Sequence, residues 1–327
     1  MHVRRKFALL IVALLLMIFV FGCDCSSGDG EKTFRQNDGR FSVHFLDVGQ
    51  GDCIFINFSD GKTFMIDTAN GKKENNEYIA EFLKAFGVDK IDYLVITHPD
   101  TDHVGGTENL VNSFSIGKVY IPHILNYENF ISFKKIIDLL NEKQTPTEIS
   151  TTYKSVVAHD YELAFLTPYP LDFPNVESGY KGLNTEFPSD ADMNNASPII
   201  YLQYKGVRFL FTGDAGSSQE KILLENQETM TVFFQNMGIQ INLENIDFLK
   251  VAHHGSSESS TTDFLNKLKP KNAVVSVSGG NAYGHPSTAV LERLSMANPL
   301  HSLYRTDVLG TISVYVSTDG QTEVVTD

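Results

Sequence analysis

Cysteine is scarce. Three residues in 327, Cys23, Cys25 and Cys53, exclude a disulfide-stapled fold. Tryptophan is absent, which excludes nothing. Positive charge is also short. Twenty-six Lys and Arg face 40 Asp and Glu, for a net charge of −14, and an acidic surface disfavours non-specific binding to nucleic acid. Only residues 7–21 form a long apolar run, so these residues hold no multi-span channel. There is no internal repeat. The remaining composition, 42% hydrophobic, is that of an ordinary globular chain able to bury a sizeable core.

The apolar run follows Arg4, Arg5 and Lys6 and ends at Gly22-Cys23. A basic head and a short apolar stretch are the pattern of an export signal. The run is shorter than the ~20 residues that a comfortable membrane span needs; a retained transmembrane anchor is the competing reading. Val20-Phe21-Gly22-Cys23 resembles a bacterial lipoprotein cleavage site. Residues 1–22 are therefore expected to be a signal peptide, and Cys23 to carry a lipid that tethers the exported chain to a membrane. Residues 23–40, rich in Ser, Gly, Asp and Lys, read as a flexible tether. The folded domain is expected over 41–327, with Cys53 in its core.

Strand patterns with period two appear at 41–47, 53–58 and 63–67, with Asp60-Gly61 as a hairpin turn. Helical spacing covers 75–86, and an apolar strand covers 91–97. Further strands are expected at 117–121, 161–166, 198–204, 207–211, 246–252, 273–277, 301–305, 310–316 and 322–326. Helices are expected at about 107–114, 130–140, 217–224, 261–268 and 287–297. Residues 168–194, rich in Pro, Gly, Asn and Asp, read as a long loop that could act as a lid setting substrate choice. Polar clusters recur at strand ends, as in a site built along one edge of a layered α/β fold.

The densest cluster is His98-Pro99-Asp100-Thr101-Asp102-His103, with Gly105-Gly106 behind it to turn the chain into a helix. Imidazole and carboxylate groups are the usual ligands of divalent metals in hydrolytic sites. On an extended segment His98, Asp100 and Asp102 would face one way and His103 the other, so one segment could serve two metals. Two ions that share a carboxylate can hold a hydroxide that is nucleophilic at neutral pH. On the residues alone, Asp214 reads equally as a ligand beyond strand 207–211 or as a helix N-terminal aspartate. His253 and His254 would leave a strand in opposite directions, so one of them is a ligand. His254, beside Gly255, is the candidate, with His253 facing substrate. Ser256 and Ser257 could contact a substrate oxyanion or cap the next helix. His285, before a helix start, could hold a phosphoryl oxygen or assist a leaving group. Asp47 and Asp52 flank a glycine turn and could orient metal-bound histidines. His44, His123, His159 and His301 read as core or surface residues.

The segment His98-x-Asp100-x-Asp102-His103 is similar to the first metal motif, HxHxDH, of the metallo-β-lactamase superfamily, with Asp100 in place of its second histidine. FLDVGQGDC (45–53), ITHPDTDHVGG (96–106), NNASPIIYLQYKGVRFLFTGDA (194–215), LKVAHHGSS (249–257) and YGHPS (283–287) resemble, in order, the extracytoplasmic hydrolase-like domain of ComEC-type DNA-uptake proteins, where Asp is common at the Asp100 position. The resemblance implies a four-layer αββα sandwich and two divalent ions, Zn²⁺ preferred and Mn²⁺ possible. It implies metal ligands His98, Asp100, Asp102, His103, Asp214 and His254, with Asp214 bridging. Asp102, His253 and His285 would carry the chemistry. Asn195 falls where the wider superfamily often has another histidine, and would contact substrate.

The expected function is an exported, metal-dependent hydrolase of phosphoesters, nuclease-like or phosphodiesterase-like. Its substrate would be nucleic acid or a cell-envelope phosphoester. No protein partner is expected. The alternative is a non-catalytic envelope lipoprotein that binds a polymer or partner and keeps a structural metal.

Overall fold

The computed structural model describes residues 37–124, 127–152, 154–169, 189–297 and 300–327. The signal and lipidation readings at 1–23, most of the tether and most of the expected lid lie outside the described residues.

Chain order begins with strands β1 (Phe41–Phe45), β2 (Ile54–Asn57) and β3 (Thr63–Ile66). Helix α1 (Lys73–Ala85), strand β4 (Lys90–Val95), the single turn α2 (Thr101–Val104) and helix α3 (Thr107–Ser113) follow. Then come β5 (Ser115–Ile121), α4 (Ile131–Glu142) and β6 (Thr147–Ile149). The second half has β7 (Ser155–Val157), β8 (Tyr161–Phe165), α5 (Asp190–Asn194), β9 (Ile200–Tyr204) and β10 (Val207–Phe211). After α6 (Ser217–Glu225) and α7 (Gln227–Asn236) come β11 (Phe248–Lys250), α8 (Thr262–Leu268), β12 (Asn272–Val275) and α9 (Thr288–Met296). Strand β13 (Ser302–Arg305), the turn α10 (Thr306–Leu309), β14 (Ile312–Val316) and β15 (Thr322–Thr326) close the order.

Two mixed sheets result. One runs β15-β14-β1-β2-β3-β4-β5-β6 and the other β13-β12-β11-β10-β9-β8-β7. Strand periodicity divides the apolar side chains between layers. Ile54, Ile56, Phe64 and Ile66 pack between the sheets against Leu202, Phe209 and Phe211. Phe55 and Met65, one residue out of phase, face the opposite side and meet Ile79, Phe82 and Leu83 of α1. Tyr201, Leu210 and Val275 face outward against Phe234, Phe264 and Leu294 from the second helix layer. The order helix, sheet, sheet, helix is the expected αββα sandwich.

His44 lies on the outer face of β1, fully buried among the rings of Phe55, Phe82, Phe86 and Tyr315. Its ring nitrogens meet the hydroxyls of Ser313 and Ser42. It is a core histidine.

Strands β3 to β6 are parallel, as are β10 to β13. The carboxyl ends of parallel strands are where open α/β sheets bind ligands.

Several local expectations are corrected. The strand expected over 246–252 is only Phe248–Lys250; a left-handed turn follows, with φ of 48° at His253 and 52° at His254. The two histidines therefore do not alternate as on a strand. Residues 101–104 are a helical turn rather than an extended segment, so Asp102 and His103 are placed by helical, not strand, phase. Helix α5 occupies the end of the expected 168–194 loop. Strands β6 and β7 and helix α7 were not anticipated. Gly105 and Gly106 have ordinary right-handed backbones. They are needed for close approach: a Cβ at Gly105 would lie 2.4 Å from the Asn70 carbonyl carbon, and one at Gly106 would lie 2.2 Å from the Thr68 oxygen.

Candidate metal centre

Five chain segments converge at one edge of the sandwich. Segment 98–103 follows β4, Asp67 follows β3, Asp214 follows β10, His253 and His254 follow β11, and Ser276 follows β12. His98, His103, Asp214 and His254 are all buried. Asp100 and Asp102 keep about a third of their side chains exposed, at 30% and 32%.

Hydrogen bonds fix the ring orientations. Asp67 accepts from His103 Nδ1 at 2.7 Å and His254 Nδ1 donates to the Ser276 carbonyl at 2.8 Å. Both Nδ1 atoms thus carry protons, and both Nε2 atoms are turned inward. These Nε2 atoms face each other at 3.3 Å. Thr97 Oγ1 donates to Asp67 at 2.7 Å and lies 2.9 Å from His98 Nδ1. It therefore accepts from that ring, leaving His98 Nε2 bare. Asp67 holds one histidine directly and the other through Thr97. Carboxylate-histidine pairs of this kind orient metal ligands. Asp67 sits at φ 58°, a conformation that Asp tolerates better than most residues.

The inward atoms form two groups that share Asp214. Around one, His103 Nε2 lies 3.3 Å from Asp214 Oδ2, and His254 Nε2 lies 3.4 Å from Asp102 Oδ2 and 3.6 Å from Asp214 Oδ2. Around the other, His98 Nε2 lies 3.5 Å from Asp100 Oδ2 and 3.8 Å from Asp214 Oδ2. Donors about 2.0–2.1 Å from a tetrahedral ion stand about 3.3–3.4 Å apart. The first group matches that spacing with four donors, and the second is slightly open with three.

Two further observations fit a cation. His98 Nε2 and Asp214 Oδ1 are buried without a hydrogen-bond partner. Facing imidazole lone pairs at 3.3 Å repel unless a cation or proton stands between them. The donor set, imidazole with carboxylate, suits Zn²⁺ or Mn²⁺.

Charge within the cluster is strongly coupled. Burial disfavours the Asp214 carboxylate, but His103, His254 and His98 outweigh it and hold the group well below the usual carboxylate range. Burial likewise opposes charge on His103, yet Asp214, Asp67 and Asp102 push its pKa well above that of a free imidazole. His254 is raised despite burial by Asp214 and Asp102. Burial lowers His253 and His285.

The remaining expected site residues fall in different places. His253 is partly exposed, with Nε2 3.8 Å from Asp214 Oδ2. His285 packs edge-on against His253, with ring centroids 5.4 Å apart. The Asn195 side chain turns to the Gly216 amide at 3.3 Å, and Ser256 Oγ accepts from Glu258 N at 3.3 Å, which is a turn cap. Arg293 binds the Ser257 carbonyl at 3.0 Å. Asn194, not Asn195, reaches the cluster: its Nδ2 lies 3.4 Å from His253 Nδ1, and its buried Oδ1 has no hydrogen-bond partner.

Asp52 lies at the edge of the centre. Oδ1 is 3.6 Å from His254 Nδ1, and Oδ2 pairs with the buried Lys250 ammonium at 2.8 Å. Asp47 touches neither histidine; it accepts from Gly49 N at 3.2 Å and lines a separate polar cavity of about 430 Å³ with Lys72 and Ser278. Sequence reasoning missed Asp67, Lys250 and Asn194. The available signal for Asp67 was an acid directly ending an apolar strand run.

Residues 46–279 match the family model described as Metallo-beta-lactamase superfamily. ComE operon protein 3 of Bacillus subtilis (strain 168) is 28% identical over 92% of this chain and 35% of its own length. Competence protein ComA of Neisseria gonorrhoeae is 27% identical over 84% of this chain and 32% of its own length. The chain thus spans about a third of the length of these curated relatives. The solved metallo-beta-lactamase fold protein YhfI from Bacillus subtilis is 10% identical, with a TM-score of 0.48 over 88% of this chain and 100% of that one.

Proposed function

We propose, on the premise that this chain belongs to the metallo-β-lactamase superfamily, that it is an exported metal-dependent hydrolase of phosphoesters. The observation that carries this reading is the pair of donor groups meeting at Asp214, with three histidine Nε2 atoms held inward by Asp67, Thr97 and the Ser276 carbonyl.

In this reading His98, Asp100 and Asp214 would hold one divalent ion, and Asp102, His103, His254 and Asp214 would hold the other. Bound there, the ions supply Lewis-acid polarisation of the ester and lower the pKa of water. Asp67 and Ser276 keep the imidazoles in the ligating tautomer. His253 and His285 stand beside the ligands and would meet a phosphoryl oxygen there; His285 Nδ1 is buried and without a hydrogen-bond partner. Asn194 steadies His253 from behind. The carboxylate at Asp100 gives this donor set one more negative charge than a histidine there would. Export and lipid attachment at Cys23 are part of the proposal.

The test is turnover of bis(p-nitrophenyl) phosphate by the metal-loaded full chain. Asp102→Ala and Asp214→Ala should abolish turnover while circular dichroism stays native. No turnover across phosphodiester, phosphomonoester, lactone and nucleic-acid substrates, with two metals bound, would favour the binding-protein alternative. Fatty-acid labelling that disappears in Cys23→Ala tests the anchor separately.

A further inference from the structure

The hydrolase reading says nothing of how the organic part of the ester is recognised. The loop after β12 carries an unused feature. Tyr283 is 71% exposed, among the most exposed large apolar side chains of the described residues. Isolated exposed apolar residues need no explanation, but the backbone of this one is fixed and its ring meets His285.

The loop is built around the Asn281 side chain. Its Oδ1 accepts from Tyr283 N at 3.1 Å and His285 N at 3.0 Å. Its Nδ2 donates to Ser278 O at 2.9 Å and His285 O at 2.6 Å. Gln50 Oε1 accepts from Ser278 N at 3.4 Å, which ties the loop to the β1–β2 turn. A surface side chain on a backbone fixed in this way loses little further freedom on binding.

Successive ring contacts lead from Asp214 to Tyr283. His253 Nε2 is 3.8 Å from Asp214, and His285 meets His253 at 5.4 Å between centroids. Tyr283 lies 5.9 Å from His285, with the two ring planes inclined by only 21°. One face of Tyr283 is thus directed along His285 and the rest is open to solvent. An ester held at the metals would leave its organic substituent beside these rings.

Resting on the hydrolase reading, we propose that Tyr283 is a stacking platform that selects phosphoesters carrying a flat heteroaromatic ring, a nucleobase in the first instance. Aromatic side chains bind bases through their faces without regard to sequence. Phosphate neutralisation contributes little affinity to a chain of net charge −14, so the ring contact is what discriminates. The polar cavity beside Ser278, lined by three carboxylates (Asp47, Glu74 and Asp307) against one ammonium (Lys72), is poorly suited to a second phosphate. The favoured substrate is therefore short or single-stranded, with one phosphodiester engaged at a time.

The test compares two esters with one leaving group, thymidine 5′-(4-nitrophenyl phosphate) and methyl 4-nitrophenyl phosphate, on the metal-loaded full chain. Tyr283→Ala should raise KM for the thymidine ester about 10-fold, leave its kcat unchanged and leave the methyl ester unaffected. Tyr283→Phe should keep the wild-type preference. A merely structural role would move both substrates together. Binding is read independently by fluorescence anisotropy with labelled (dT)4 and an abasic tetranucleotide. Wild type should prefer (dT)4, and Tyr283→Ala should lose the preference. Turnover with no base preference in KM or binding overturns the platform and spares the hydrolase. Base-dependent binding lost in Tyr283→Ala, with no turnover of any ester, upholds the platform and overturns the hydrolase.

Discussion

Replacing Lys250 with methionine should cost this fold a large share of its stability. Lys250 is fully buried at the end of β11, and Asp52, in the turn between β1 and β2, is 1% exposed. Their side chains meet at 2.8 Å, and the ammonium has one other ligand, the Val251 carbonyl at 3.1 Å. The pair joins the two sheets beside the candidate metal centre, where Asp52 Oδ1 lies 3.6 Å from His254 Nδ1. Asp52 N also donates to Asp102 O at 3.2 Å, and Asp52 O accepts from Ala69 N at 2.9 Å. These bonds fix the Asp52 backbone against the turn that carries Asp102.

Methionine fills nearly the same volume but leaves the Asp52 carboxylate buried without its cation. Breaking a buried pair in this way costs about 3–5 kcal/mol, against a total domain stability of about 5–15 kcal/mol. At a urea dependence of about 3 kcal/mol/M the midpoint should fall by about 1 M or more. Lys250→Met/Asp52→Asn removes both charges, and part of the loss should return. The double-mutant cycle should show a coupling above about 1 kcal/mol. Urea denaturation of the full chain, followed by circular dichroism with and without metal, measures all four corners. A Lys250→Met loss below about 1 kcal/mol, or single effects that simply add, would refute the argument.

Three further outcomes follow from contacts already described. Asp67→Asn removes the acceptor charge beside His103, and should weaken metal binding about 10- to 100-fold in competition with a chromogenic chelator; unchanged affinity would mean that His103 needs no such support. Gly106→Ala places a Cβ 2.2 Å from Thr68 O, and should destabilise the fold by about 1–3 kcal/mol, with a wild-type urea midpoint counting against the close-approach explanation. Burial lowers the His44 pKa to about 3 from its ordinary 6.5, so the unfolded chain takes up this proton first as pH falls. His44 therefore contributes stability that is present above pH 6.5 and lost progressively towards pH 3, at about 1.4 kcal/mol per pH unit. His44→Gln should flatten that acid limb of the stability curve, and an unchanged slope would show that other groups govern it.

The legible part of this molecule is the part in which neighbours in sequence are neighbours in function. His98, Asp100, Asp102 and His103 lie within six residues, and strand periodicity sorts Ile54, Phe55 and Ile56 onto the correct faces without knowledge of the fold. What escaped lies across segment boundaries. Asp67 is 31 residues before His98 and supports it only because β3 and β4 are parallel neighbours. Lys250 passes unremarked within the strand expected over 246–252; its partner, Asp52, comes from the other sheet. Local geometry failed where function bends the backbone. Alternation assigned opposite directions to His253 and His254, whereas two successive left-handed residues bring His254 inward and leave His253 at the rim. That departure has a chemical reason. A strand would carry only one of the two rings toward Asp214, but the tight turn sets one at 3.6 Å and the other at 3.8 Å from the same oxygen. The positive φ angles impose a backbone cost of order 1–3 kcal/mol each. In return, both imidazoles lie beside Asp214, His254 buried within the candidate metal centre and His253 at its rim.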